Sequence, residues 1–274
     1  MRILYLDCFS GISGDMTVGA LTDLGVSPST FEWELSKLDL DDCHLHFERQ
    51  TRGGISGVKF DVHLGATHNA SQDNDHDPQE PHRGLTQSGK TDNEQDHQRH
   101  DHEHHHHGRH SHEHLGHKPH SSRSFSEICE LIEGSELSGF VKQHATSIFR
   151  RIGTAESKIH GTSIEEVQFH EVGALDSIVD IVLSCIGFEA LEVARIYFSI
   201  LVDGQGTFRS SHGEYPLPGP ATLEILQDIP IRQADIPFEL ITPTGAAIVA
   251  EFHHAVGAWP AMRPAKIEIG RAHV

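Results

Sequence analysis

Between Ala66 and Ser122 the chain has no Val, Ile or aromatic residue, and Leu85 and Leu115 are its only large apolar side chains. Such a stretch cannot bury enough surface to offset the entropy of ordering it, so it is expected to be disordered without metal. It therefore acts as an insertion, and the folded body must be built from residues 1–65 and 123–274 together. A length of 274 residues permits one or two domains with a sizeable core.

What the insertion lacks in apolar residues it carries in imidazole. The segment HDHEHHHHGRHSHEHLGHKPH places His100, His102, His104, His105, His106, His107, His110, His112, His114, His117 and His120 within one short run. Neutral imidazole donates to a borderline transition metal without first losing a proton. Asp101, Glu103 and Glu113 add oxygen donors and negative charge that attracts a dication. Nickel, zinc and copper all suit this donor set, so composition does not name the metal. A purification tag is a poor account of a run that is internal and broken by Gly108 and acids. A merely solvated linker is the competing reading, against an acidic, His-rich metal-binding insertion.

A net charge of −19 argues against nucleic-acid or anionic-membrane partners, which call for Lys/Arg patches, and suits a protein that concentrates cations. The amino-terminal MRILYLDCF reads as a buried strand rather than a signal peptide, because Asp7 interrupts its short apolar run. No stretch approaches the roughly 18 apolar residues of a membrane span. Cys8, Cys43, Cys129 and Cys185 are scattered without a CxxC pair, the pattern of reduced thiols in a cytoplasmic protein.

The flanking pieces read as α+β (mixed α/β), with strand–turn–helix units and a hairpin around the disordered His-rich insertion. ILYLDCF predicts a strand, SGISGD a turn, and Met16, Ala20, Leu21 and Leu24 an apolar helix face stopped by Gly25 and Pro28. Ser29 with Glu32 is a possible capping box for a helix carrying Phe31, Leu35 and Leu38. HLHFE and GVKFDVHL, separated by TRGGISG, predict a β-hairpin whose polar face collects His44, His46 and His63, as an ordinary solvated sheet face does. After the insertion, Ser124 and Glu127 predict a capping box, and a longer helix carries Leu137, Val141, Ile148, Ile152, Ala155 and Ile159 up to Gly161. His144 reads there as a core or boundary residue.

The candidate chemistry begins at Val167. VQFHEVGALDSIVDIVLSCIGFEAL predicts a short strand, a turn at Gly173 and an apolar helix. Asp176 and Asp180 are four residues apart and share one helix face, with His170 and Glu171 just ahead. Asp176 alone would serve as a helix cap. Asp180, flanked by Ile178, Val179, Ile181, Val182 and Leu183, should be paired or metal-bound. RIYFSILV predicts another strand, followed by a loop in which Gly204 and Gly206 permit close approach, Arg209 offers an anion grip and His212 titrates. Pro220 suits the first turn of the GPATLEIL helix. FELITPTGAAIVAEF repeats the strand–turn–helix pattern, with Thr242 or Thr244 capping a helix whose amino terminus suits an anion.

DCFSGISGDM, KIHGTSIEEVQFHEVGALDSIVDIV, SHGEYPLPGPATLEIL and ELITPTGAA closely resemble segments of the nickel insertion proteins of nickel-pincer cofactor biosynthesis, in the same order. The resemblance covers nearly all of the chain outside the insertion, and the family carries a His-rich insertion at the same place. It implies delivery of Ni2+ to a pyridinium bisthiocarboxylic acid mononucleotide, forming nickel–carbon and nickel–sulfur bonds in the cofactor of lactate racemase-type enzymes. It further implies CTP with a divalent cation, handled by a carboxy-terminal domain beyond the strand resembling AKIEIG. The chain resembles the shorter product of a split or frameshifted reading frame, which makes that C-terminal half a partner, with the racemase apoenzyme as a client. His170, Glu171, Asp176 and Asp180 are then candidates for the catalytic role, and Gly204, Gly206, Arg209, His212 and Thr244 for holding the mononucleotide. A non-catalytic nickel or zinc storage and delivery protein is the alternative.

Overall fold

In a computed structural model, residues 1–40, 43–64, 123–167, 169, 175–210 and 213–271 are described. The insertion and its histidines lie outside them, as do His170, Glu171 and His212.

The amino-terminal piece follows its sequence pattern with one shift. Strand β1 (Ile3–Leu6) leads into helix α1 (Gly14–Asp23), which Ser13 caps by accepting the Met16 N–H. Gly25 ends that turn with φ +114°, but Pro28 does not act as a stop. It opens helix α2 (Pro28–Leu35), and Ser27, not Ser29, caps it by accepting the Thr30 N–H at 3.2 Å. Proline at the first helical position loses no hydrogen bond and arrives with the right φ, so the cap moves to the residue before it. Strands β2 (Cys43–Arg52) and β3 (Ile55–Leu64) form the predicted antiparallel hairpin, in register from Cys43 opposite Leu64 to Arg52 opposite Ile55. Its two-residue turn, Gly53–Gly54, has positive φ at both positions, which glycine adopts without steric cost. Val58 and Phe60 are buried, and Phe47 packs between Phe60 and Phe31 with ring centres 5.0 and 5.9 Å away.

Beyond the insertion, helix α3 (Phe125–Gly134) carries the expected capping box: Ser124 N–H donates to Glu127 Oε2 at 2.7 Å and Glu127 N–H to Ser124 Oγ at 3.3 Å. Helix α4 (Gly139–His160) ends at Gly161 as predicted. It starts after Leu137, which is buried in the preceding turn, and Ile159 lies exposed on its last turn. A single 3-10 turn (Ile164–Glu166) follows, and Val167, predicted to begin a strand, is instead buried at the end of that turn. Helix α5 (Leu175–Ala190) buries every residue from Ile181 to Phe188, which is why its sequence lacks a clear polar face.

Strand β4 (Arg195–Phe198) and strand β5 (Leu201–Asp203) replace the single strand expected for RIYFSILV. The break falls at Ser199, whose N–H donates to Leu6 O at 2.9 Å while its Oγ accepts the Cys8 N–H at 2.8 Å. A small hairpin, β6 (Thr207–Ser210) and β7 (Gly213–Pro216), leads to helix α6 (Pro220–Ile225), with Pro220 at its first position as predicted. Strand β8 (Ile231–Gln233), helix α7 (Pro243–Phe252), strand β9 (His253–Val256) and strand β10 (Gly270–Arg271) complete the chain. FELI forms no strand beyond an isolated bridge at Ile241, and only Gly270 and Arg271 of the carboxy-terminal run pair, beside β3.

The sheets are small. β1, β4 and β9 form a parallel three-stranded sheet, β10, β3 and β2 a mixed one, and β5–β8 and β6–β7 two-stranded pairs. Seven helices and ten strands make an α+β fold among the described residues. One core joins both flanks of the insertion, with Phe31 and Phe60 from one side and Ile148, Phe149 and Phe188 from the other. Asp23 locks the carboxy-terminal run onto it, accepting from Arg49 and from the Ile269 N–H. Among the described residues no helix is long and apolar enough to cross a membrane.

A polar clamp joins α4 to α7. Glu251 receives His144 Nδ1 at 2.7 Å, Ser147 Oγ at 2.6 Å and Arg151 Nε at 3.1 Å. Burial alone would raise its pKa, but these three partners outweigh it and hold the carboxyl below the ordinary glutamate value. The stabilisation is present above the ordinary carboxylate pKa and is lost as pH falls through the lowered one. Glu251→Ala is expected to cost about 2 kcal/mol at neutral pH. Chemical denaturation from pH 7 to pH 3 should show the gap to the parent protein closing on the acid side.

Candidate functional site

The three glycine-bearing turns read from the sequence meet at one place. Ile12, just ahead of α1, forms a parallel bridge with Ile241, just ahead of α7. The Ile12 N–H donates to Leu240 O at 2.9 Å and the Thr242 N–H to Ile12 O at 3.1 Å. The backbones come this close because position 11 has no side chain: a Cβ on Gly11 would lie 1.9 Å from Leu240 O. The third turn joins through Asp203, which is fully buried at the end of β5. Its Oδ1 accepts from the Gly204, Leu240 and Ile241 N–H groups at 2.8, 2.7 and 3.2 Å. Its Oδ2 has no hydrogen-bond partner among the described residues.

Two helix amino termini therefore start side by side. Ser13 caps α1 and Thr242 caps α7, the latter by accepting the Gly245 N–H at 3.1 Å. Thr244 sits inside the first turn of α7, buried, with its hydroxyl 2.8 Å from that of Thr242. Unpaired N–H groups and the helix dipole make such an end a natural seat for phosphate or carboxylate.

An acidic group faces the same end of α1. Asp180 packs against Gly14, where a Cβ would lie 2.7 Å from Asp180 Oδ2. Burial, then the neighbouring Asp15 and Asp176, raise the Asp180 pKa well above the ordinary value, and Asp61 adds to this; a backbone N–H from Asp15 opposes it. The carboxyl is thus biased toward its neutral form. Asp15 also accepts from Ser13 Oγ, so the α1 cap and the acidic group share a residue. Among the described residues no set of three or more His, Cys, Asp and Glu side chains is arranged to hold a metal ion. Cys8, nearby in sequence, is no ready thiolate: burial and Asp7 push its pKa up to about 12.

The structure brings Asp176 and Asp180 together on α5 and places Thr244 at the adjoining helix end. Gly204 fits against its own chain, since a Cβ there would lie 1.9 Å from Phe238 O, and Gly206 shapes the turn with φ +106°. Arg209 is exposed on β6, opposite Glu214. Asp15, Ser13 and Asp203 were not among the sequence candidates. Their signals were present: a polar residue after Leu201 and Val202 and before a glycine, and an acid two residues past a capping serine.

Residues 4–273 match the nickel insertion protein family. The chain belongs to that family. A pyridinium-3,5-bisthiocarboxylic acid mononucleotide nickel insertion protein of Geobacillus kaustophilus is 43% identical over 270 residues, which cover 98% of this chain and 56% of that protein. One of the same name from Desulfitobacterium hafniense is 37% identical over 270 residues, 98% of this chain and 54% of the relative. Another, from Staphylococcus epidermidis, is 37% identical over 259 residues, 94% and 52%. The chain spans about half the length of the curated relatives it matches. No solved structure matches it. In this nickel insertion family member the motif segments and the geometry coincide. DCFSGISGDM supplies the α1 end with Asp15, LDSIVDIV supplies Asp176 and Asp180, and ELITPTGAA supplies the capped end of α7.

Proposed function

We propose that this chain captures Ni2+ and delivers it to pyridinium-3,5-bisthiocarboxylic acid mononucleotide, making the nickel-pincer cofactor of lactate racemase-type enzymes. The observation that carries the reading is similarity over nearly the whole chain to proteins named for that insertion. Residues 66–122 act as the acidic, His-rich collecting segment, and residues 1–65 with 123–274 as the insertion domain. Asp176 and Asp180, with His170 and Glu171 ahead of them in sequence, receive the cation. Because burial and its acidic neighbours favour the protonated form of Asp180, metal entry is coupled to proton loss there. The capped ends of α1 and α7, with Thr244, take the mononucleotide phosphate, and the loop of Gly204, Gly206, Arg209 and His212 borders it. A nickel–carbon bond on the ring replaces a ring hydrogen, so a base must accept that proton, a role assigned in this reading to an ionised carboxylate of this group. CTP with its divalent cation is handled by a carboxy-terminal half, separately encoded or reached by frameshifting, and the racemase apoenzyme is the client. The setting is cytoplasmic.

The test is to incubate the purified chain with NiCl2, the dithiolated mononucleotide and CTP, with and without that carboxy-terminal half. Nickel–pincer absorption is expected when both halves are present, and its absence then overturns the proposal. Deleting residues 66–122 separates insertion from storage. An insertion protein still works at high nickel, whereas a storage protein loses its capacity.

A further inference from the structure

We propose that His46 and His63, on the outer face of the β2–β3 hairpin, form a two-imidazole docking site where Ni2+ stops between the His-rich tract and the folded body. This rests on the reading of nickel as the cargo. The sequence pattern alone gives only a polar strand face, which any hydrophilic residue would satisfy. The structure adds a specific pairing. His44 stands opposite His63 and His46 opposite Asp61, so His46 and His63 are diagonal neighbours. Their ring centres lie 5.6 Å apart at an interplanar angle of 67°. With metal–nitrogen bonds of about 2.0–2.1 Å, two imidazoles on one ion place their ring centres roughly 4.5–6 Å apart. The pair is therefore already at a bidentate spacing. Both residues are exposed, so an ion arrives without any part of the core opening.

The surroundings suit a dication. By register Asp61 lies across from His46 and two residues before His63 on the same strand, with its carboxylate largely buried beneath the exposed imidazoles. Lys59 is neutralised by Asp61 Oδ2 at 2.8 Å and stands opposite Glu48, so it does not repel a cation at the two rings. Imidazole with water is a donor set that borderline metals accept. Two protein ligands leave most of the coordination shell to water, which favours exchange over storage. Position matters too. His63 is three residues ahead of Ala66, so cations carried by the tract are tethered at high effective concentration to this pair. Asp61 also acts weakly on Asp180 electrostatically, which links the hairpin to the acidic group at α1.

The test uses the full chain with every histidine of residues 66–122 changed to Gln, titrated with NiCl2 by calorimetry, and the same chain also carrying His46→Ala and His63→Ala. The expected result is a saturable site that the added pair weakens by about tenfold or more. With Cu2+ as probe, electron paramagnetic resonance should lose its nitrogen splitting in the same variant. Unaltered thermal melting checks that the exposed substitutions leave the fold intact. Equal nickel affinity with and without the pair, or no binding in the tract-silenced chain, overturns the inference. The functional reading is scored separately. Pincer formation by the unmodified chain with its carboxy-terminal half, alongside unchanged binding in the His46/His63 variant, sinks the docking site alone. Binding lost with the pair, but no pincer formed by the unmodified protein, sinks the insertion reading alone.

Discussion

Asp180→Asn is expected to give a protein that folds at least as well as the parent yet fails in cofactor maturation, by roughly 100-fold or more. The two outcomes have one cause. Asp180 is pushed toward its neutral form by burial and by Asp15 and Asp176, so its folded pKa lies above the unfolded one. The stability it contributes is fully present below the ordinary aspartate pKa and is lost as pH rises through the raised folded value. Asn keeps the shape and can still accept the Asp15 N–H, but it never carries the charge that the site opposes. Without nickel, the melting temperature of the variant should equal or exceed the parent's, with the advantage growing at alkaline pH. With nickel, the parent should release a proton on binding at this site, which buffer-dependent calorimetry detects and the Asn variant should lack. Tract binding stays intact in both. A stable Asp180→Asn protein that matures cofactor normally removes this residue from the mechanism.

Gly11→Ala is expected to be strongly destabilising, lowering stability by about 3 kcal/mol or more. Gly11 has φ +86°, which an L side chain resists, and its added Cβ would meet Leu240 O at 1.9 Å. The collision is with backbone, so no rotamer change relieves it. Relief requires parting Ile12 from Ile241 and with them the starts of α1 and α7. Denaturant titration should show a lower midpoint. Maturation should fall even under conditions where the variant remains folded, because the proposed phosphate seat depends on both helix ends. Unchanged stability would mean that the bridge is not the joint described above.

Local chemistry explains which elements the sequence revealed. The Gly53–Gly54 turn and its alternating flanks specify a hairpin by themselves, as do Ser124 with Glu127 and the long stripe from Val141 to Ala155 specify α3 and α4. The errors arose where the outcome depends on a distant partner. RIYFSILV reads as one strand, but Ser199 leaves the ladder to bond Leu6 and Cys8, almost two hundred residues away in sequence. FELI has strand composition, yet only Ile241 finds a neighbour. Ser29 with Glu32 fits a capping box as well as Ser27 fits a simple cap, and the fixed φ of Pro28 decides between them. In the site, Asp180 stood out because a carboxylate among isoleucines and valines demands a reason. Asp15 and Asp203 did not, because an acid beside a glycine turn is ordinary until long-range contacts show what it anchors. The meeting of the three turns is a property of topology and cannot be read from any one of them.

The single bridge between Ile12 and Ile241 has an electrical consequence. Each helix end there carries about half a positive charge from its aligned peptide dipoles, and one pair of hydrogen bonds holds the two ends together. One of those ends is also where Asp15, Asp176 and Asp180 gather. The site is thus two-signed, each sign opposing the entry of a lone ion of the same kind. On the proposed reading, filling one half would alter the field at the other, favouring a dication and an anion bound as neighbours over either bound alone.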